Sequence, residues 1–142
     1  KAKILRLSTV HGWSSGIRFD IAANKFTYFA CMGMPLTVWS SAVNEFRPYI
    51  HVKDASRALM HALQKDLKGI HNVEGENIQM DDLLELVKRH VPSAKITITP
   101  ASKSQSSYGV AGTKFEKTGF KPVLTLNDGI KELCEKFSAF VR

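Results

Sequence analysis

Long apolar runs are missing from this chain. No stretch approaches the ~18–20 consecutive apolar residues a membrane helix needs, and no charged start leads into a short apolar segment, so the residues predict a cytoplasmic protein. Cysteine is scarce too. Cys31 and Cys134 lie far apart, each in an apolar stretch at helical spacing, the setting of free core thiols rather than of a disulfide framework. Neither belongs to a Cys-x-x-Cys pair and the five histidines are scattered, so no zinc spacing is present. There is no Gly-x-Ser-x-Gly elbow, no P-loop and no Gly-x-Gly-x-x-Gly. A dinucleotide loop needs those glycines to bring backbone N–H groups up to a pyrophosphate. The chain is therefore expected to hold neither a complete catalytic set nor a metal.

Repeats, low-complexity tracts and long linkers are also lacking. What is present is ordinary for a globular protein, with 44% hydrophobic and 23% charged residues. A 142-residue chain is the size of one domain, and such a domain buries roughly 68–70% of its unfolded surface without needing disulfides or metals. The balance of 20 Lys and Arg against 13 Asp and Glu gives a net charge of +7. The basic residues are spread along the chain, often beside acids as in "DLLELVKRH" and "IKELCEKF". That predicts a general attraction to anions and no nucleic-acid site. The chain opens on the strand-like "KILRLSTVHG" without a methionine, so it reads as a piece of something longer.

Strand and helix patterns alternate, which predicts an α/β fold whose sheet need not be all parallel. Ile4 to Val10 reads as one strand closed by His11-Gly12. Asp20 caps a helix that puts Asn24 and Tyr28 on a shared polar-edged face, ended by Gly33 and Pro35. Leu36 to Trp39 and Pro48 to Val52 are further strands, and the proline of the second implies an edge position or the strand's first residue. Ala55, Ala58, Leu59, Ala62 and Leu63 mark a buried helix face that begins at Asp54, its expected N-cap. "GIHNVEG" and "KITITP" are strands, and "MDDLLELVKRH" is a helix with Met80, Leu83, Leu84 and Val87 inward. "TKFEKTGF" begins with a Thr-x-x-Glu capping box. In the last helix, headed by Thr125 and Asp128, the inward stripe is Leu126, Ile130, Leu133, Phe137 and Phe140.

The stretch "EFRPYIHVKDASRAL" carries the densest polar chemistry. Tyr49 and Lys53 form a Tyr-x-x-x-Lys string, the spacing that puts a lysine beside a catalytic tyrosine on a helix. On a strand four residues span about 13 Å rather than the ~6 Å of a helical turn, so the string is a decoy. Alternation sets Arg47, Tyr49 and His51 on one face and Pro48, Ile50 and Val52 on the other. Arg47 is either a phosphate grip through its planar fork of donors or a surface arginine paired with Glu45. His51 reads as strand support. "GVAG" at 109–112 reads as a turn.

In their order, "ILRLSTVHG", "RFDIAANKF", "GMPLTVW", "FRPYIHVKDASRAL", "HNVEGENIQMDDLLELV" and "TGFKPVLTLNDGIKEL" resemble the C-terminal, substrate-binding half of the extended short-chain dehydrogenase/reductases, the NAD-dependent nucleotide-sugar epimerases and dehydratases. Each motif is weak alone; six in order, from about Lys3 to Phe137, are specific. The resemblance implies a Rossmann-like α/β fold. It also implies that NAD is held mainly by an N-terminal half that is not in this chain, which carries the catalytic tyrosine and lysine. The enzyme would act by transient oxidation of the sugar.

By the same likeness Arg47 contacts the substrate diphosphate and Asn24 faces the substrate. Thr9, Val10 and His11 border nicotinamide and sugar, and Tyr49 lines the pocket. "SSAVNE" replaces the family's usual Gly-Asp-Gly turn, and Trp13 stands where proline is common. Ser106 and Gly109 occupy the region where an arginine often grips the nucleotide, a task that passes to Lys103. The implied partners are a nucleotide sugar, the N-terminal half, and a second copy of the chain if apolar surface is left uncovered. The alternative is a stand-alone, non-catalytic module for an acidic partner: a nucleotide, a nucleic acid or a protein.

Overall fold

The computed structural model describes residues 2–100 and 107–140. Its elements run β1 (Lys3–Leu7), β2 (Thr9–His11), α1 (Ala22–Cys31), β3 (Leu36–Trp39), β4 (Phe46–His51), α2 (Val52–Gln64), β5 (Gly69–Val73), β6 (Glu76–Gln79), α3 (Met80–His90), β7 (Ile96–Thr99), α4 (Thr113–Glu116) and α5 (Leu126–Ser138). The expected α/β class holds. Three small sheets form: β1 beside β5, β2–β4–β6, and β3 beside β7. All pairs are parallel except β4 with β6, which is antiparallel.

Strand β4 divides two apolar clusters because its side chains alternate. Tyr49 faces a cluster with Phe26, Leu36, Leu83, Val87, Leu126 and Ile130, supplied largely by α1, α3 and α5. Ile50 faces a smaller cluster with Ala58, Val73, Phe115 and Phe120, supplied by α2, β5 and α4. The inward set expected on α3 is as observed, with Leu83, Leu84 and Val87 buried. At the end of α1, Gly33 takes φ +68°, and the bonds Met34 N to Phe29 O and Gly33 N to Ala30 O close the helix in a left-handed cap. The Thr125–Asp128 capping box is present, with Thr125 N donating to Asp128 Oδ2 at 2.8 Å.

Several local expectations are corrected. The single strand from Ile4 to Val10 is two strands in different sheets, broken at the buried Ser8, whose N–H still donates to Val73 O. Asp20 does not cap α1, since its carboxylate pairs with Arg18. Pro48 is neither at an edge nor first in its strand: β4 is the middle strand of its sheet and runs from Phe46 to His51, with Val52 already in α2. Pro48 pairs with Asn77 of β6, and the register with β2 begins one residue later, at Tyr49. Asp54 is not the N-cap of α2. His51 takes that place through Nδ1, which accepts from Lys53 N at 3.2 Å. Thr113 falls inside α4 behind Gly112, so its capping box does not form. Leu59 and Leu63, expected inward, are 51% and 72% exposed, because only the alanines of α2 reach the strands. Phe140 lies past the end of α5 and is exposed. Strand β6 was not expected at all, its "ENIQ" lacking a clean alternation.

Candidate functional site

Where β2 runs beside β4 with Thr9 opposite Tyr49, a cleft of about 290 Å³ opens between Thr9, Arg18, Glu45, Arg47, Tyr49 and Tyr108. A second hollow of about 430 Å³ shares Thr9, Arg18, Ile21 and Tyr108 and adds Val10 and Pro48. The shared residues make the two continuous. Alternation along β4 turns Arg47 and Tyr49 to this side.

Arg47 Nη2 donates to Glu45 Oε2 at 2.9 Å and Nη1 donates to Phe46 O at 2.8 Å. Its guanidinium lies 5.5 Å from the centre of the Tyr108 ring. The pairing with Glu45 foreseen for Arg47 is thus real, and it also fixes the fork at the cleft wall. Arg18 is held by Asp20 through two contacts, at 3.1 and 2.5 Å. Tyr49 is buried, and burial pushes its phenol up to about 12, against the pull of the nearby Arg47 charge. It is a neutral hydroxyl at any ordinary pH. Two guanidinium groups, each paired with a carboxylate of the same cleft wall, a threonine hydroxyl and two phenols make the cleft polar and suited to a hydroxyl-rich ligand.

Of the residues singled out in the sequence, Thr9, Val10, Arg47 and Tyr49 line this cleft. Asn24 and His11 lie behind it. Asn24 is buried, its Oδ1 accepting from Gly12 N at 3.0 Å and its Nδ2 donating to Arg18 O at 3.0 Å, so it fastens the turn after β2 and the backbone that carries Arg18. His11 is 2% exposed. Its ring stands edge-on to Tyr49 and His51, at 6.0 and 5.2 Å. Burial, then the neighbouring His51, lower its pKa to about 3, and its Nδ1 has no hydrogen-bond partner among the described residues. Gly129 of α5 packs directly on it, leaving no room for a Cβ. Lys103 and Ser106 lie outside the described residues.

His51 Nε2 is 3.2 Å from Glu132 Oε2, and Glu132 Oε1 accepts from Lys53 Nζ at 2.6 Å. Burial lowers the pKa of His51 despite the carboxylate. Partial burial works against the charge of Glu132, but the bond and charge of Lys53 outweigh it and hold the carboxyl below its usual range. Lys53 is thus engaged with Glu132, and it stands in the first turn of α2 rather than on the strand that carries Tyr49, so the expected strand placement of the pair is corrected. Arg18 and Tyr108 were missed. Arg18 stood inside "RFDIAANKF", a basic residue between a strand end and a helix, and was legible there. Tyr108 reaches the cleft through a tertiary bond, from its N–H to Phe46 O at 3.3 Å, which no local pattern reports. Among the described residues no group of three or more His, Cys, Asp or Glu is placed to hold a metal ion, and no helix is long and apolar enough to cross a membrane.

No family model matches the sequence. Solved structures do match the fold. UDP-glucose 4-epimerase of Thermus thermophilus, in complex with NAD, superposes with a TM-score of 0.80 at 22% identity, over 95% of this chain and 46% of that one. UDP-glucuronic acid 4-epimerase of Bacillus cereus, with UDP-glucuronic acid and NAD, gives 0.79 at 19%, over 96% and 45%. RMD of Pseudomonas aeruginosa, complexed with NADPH, gives 0.82 at 16%, over 97% and 48%. The likeness is one of fold. The chain has the Rossmann-like α/β architecture of these proteins and spans a little under half the length of each.

Proposed function

We propose that this chain is the substrate-facing portion of an NAD-dependent epimerase or dehydratase acting on a nucleotide sugar. The observation that carries this reading is the convergence of Thr9, Arg47 and Tyr49, with Arg18 and Tyr108, on one cleft of a fold shared with nucleotide-sugar epimerases. Arg47 and Arg18 neutralise the diphosphate, Tyr108 braces the Arg47 guanidinium, and Thr9 and Tyr49 offer hydroxyls to the sugar. Asn24 and His11 act from behind, holding the strand end that carries Thr9 and Val10.

An NAD-binding half is the natural neighbour of this portion. Among the described residues strand β1 pairs with β5 alone, leaving one edge open, and parallel strands are ordinarily covered on both faces within larger sheets. Nearby Ile4, Leu7 and Ile70 are exposed, as are Leu59, Met60 and Leu63 of α2. No Gly-x-Gly-x-x-Gly is present, and only the strand end at Val10 offers a wall. Hydride transfer therefore belongs to residues supplied by the other half.

Titration of UDP-glucose into the chain tests the assignment. Saturable binding is expected, weakened at least about tenfold by Arg47→Ala through loss of charge-assisted hydrogen bonds, with the fold verified by circular dichroism. Affinity unchanged by the substitution would remove Arg47 from the site. The competing reading, a non-catalytic module for an acidic partner, rests on the +7 charge. It would be favoured by oligonucleotide binding that falls steeply with salt.

A further inference from the structure

Between Ser107 and Gly112 the chain forms neither helix nor strand, yet it is tied down along its length. Tyr108 N donates to Phe46 O at 3.3 Å, and just before it Ser107 Oγ accepts from Phe46 N at 2.9 Å. Asn77 of β6 then holds Val110 as a neighbouring strand would: Oδ1 accepts from Val110 N at 2.9 Å and Nδ2 donates to Val110 O at 3.0 Å. The second hydrogen of Nδ2 goes to Glu74 Oε1 at 2.7 Å, and Glu74 Oε2 accepts from Gly112 N at 2.5 Å. Both donors of the asparagine amide and both oxygens of the carboxylate are thus engaged. A Cβ on Gly109 would stand 3.0 Å from Asn77 Oδ1, so the glycine lets the segment lie against the amide.

We propose that Asn77 and Glu74 are positioning residues of the ligand cleft, holding 107–112 as a strap that fixes Tyr108 and Val110 in its walls. Neither residue lines the cleft itself. The strap does, through Tyr108 in both hollows and Val110 in the second. Tyr108 is 51% exposed, and an exposed side chain on a loose loop loses freedom when a ligand arrives. Here the backbone on either side is already bonded, so much of that ordering precedes the ligand. The same bonds keep the Tyr108 ring 5.5 Å from the Arg47 guanidinium, a cation over an aromatic face. Loss of the Asn77 tie therefore acts on the ligand twice, through Tyr108 and through the arginine that Tyr108 braces.

This positioning role rests on the nucleotide-sugar reading of the cleft, and two readouts separate them. UDP-glucose is titrated into the full chain and into Asn77→Ala, Tyr108→Ala and the double variant, each checked for folding by circular dichroism. Each single change should weaken binding about threefold or more. Asn77→Ala should add less than about twofold once Tyr108 is gone, because the two act as a unit. Hydrogen exchange needs no ligand: the Val110 and Gly112 amides should be protected in the parent chain and exchange about fivefold faster or more in Asn77→Ala. Glu74→Gln keeps the side-chain shape and removes the charge; it should move both readouts the same way by less, and it decides if Asn77→Ala does not fold. Unchanged exchange, unchanged affinity, or equal losses with and without Tyr108 would each overturn the positioning role while the substrate reading stands. A parent chain that binds no UDP-glucose would overturn that reading and this role together.

Discussion

The two sides of β4 are built differently. On the Tyr49 side α1, α3 and α5 close over Phe26, Leu83, Leu126 and Ile130, and the cluster is sealed by long apolar side chains. On the Ile50 side the packing of α2 is made by Ala55, Ala58 and Ala62, while its leucines at 59 and 63 point to solvent and β1 keeps an open edge. On α2 the alanines are buried against the sheet, and the larger apolar side chains are exposed. The first side is sealed by its own side chains; the second leaves the leucines of α2 exposed.

That contrast can be broken deliberately. The largest effect is expected from Ile130→Ala, which opens a cavity in the sealed cluster and should cost about 2–5 kcal/mol in chemical denaturation. Leu63→Ala on the open side should change stability by no more than about 0.5 kcal/mol. Equal losses at the two positions would sink the comparison. A smaller effect is expected from Asp54→Asn. The fully buried Asp54 carboxylate accepts from Val123 N at 2.9 Å and Leu124 N at 2.8 Å, and also pairs with Arg57, so it ties α2 to the segment that leads into α5. Loss of these charge-assisted bonds should cost about 1.5–3 kcal/mol.

The gentlest probe is pH, acting at the seam. His11 and His51 are held neutral by burial, the folded pKa of His11 lying near 3 against an ordinary 6.5. The unfolded chain takes up these protons first. The contribution of His11 is therefore full above about pH 6.5 and drains away as pH falls toward 3, at no more than ~1.4 kcal/mol per pH unit, and that of His51 falls in the same direction. Denaturation midpoints at pH 7.5 and pH 5 should differ, and His11→Gln should shrink the difference. Identical midpoints in the parent chain would contradict the buried neutral ring.

How much of this was legible in the sequence followed the range of the forces involved. The α/β class, β3, the inward face of α3 and the Thr125 cap are set by spacing within a few residues, and they stand as read. The alternation of Tyr49 and Ile50 on β4 holds, whereas Val52 and Lys53, read as strand, belong to α2. What failed was decided across the chain. Asp54 looked like a helix cap, yet its oxygens go to residues near 123, which only the fold brings close. Leu59 and Leu63 fit a helical period, but the period cannot say whether the facing surface belongs to this chain. At the cleft, Arg47 was visible through its strand, whereas Tyr108 needed the contact with Phe46.

The open edge of β1 also has a direction. Two identical parallel strands related by a twofold axis would set N–H against N–H, so like edges pair by symmetry only when antiparallel. A second copy meeting this edge would therefore make a mixed sheet. Continuing the parallel order of β1 and β5 takes a strand other than a twofold-related β1, so the geometry at this edge distinguishes a twofold dimer through β1 from pairing with a different strand.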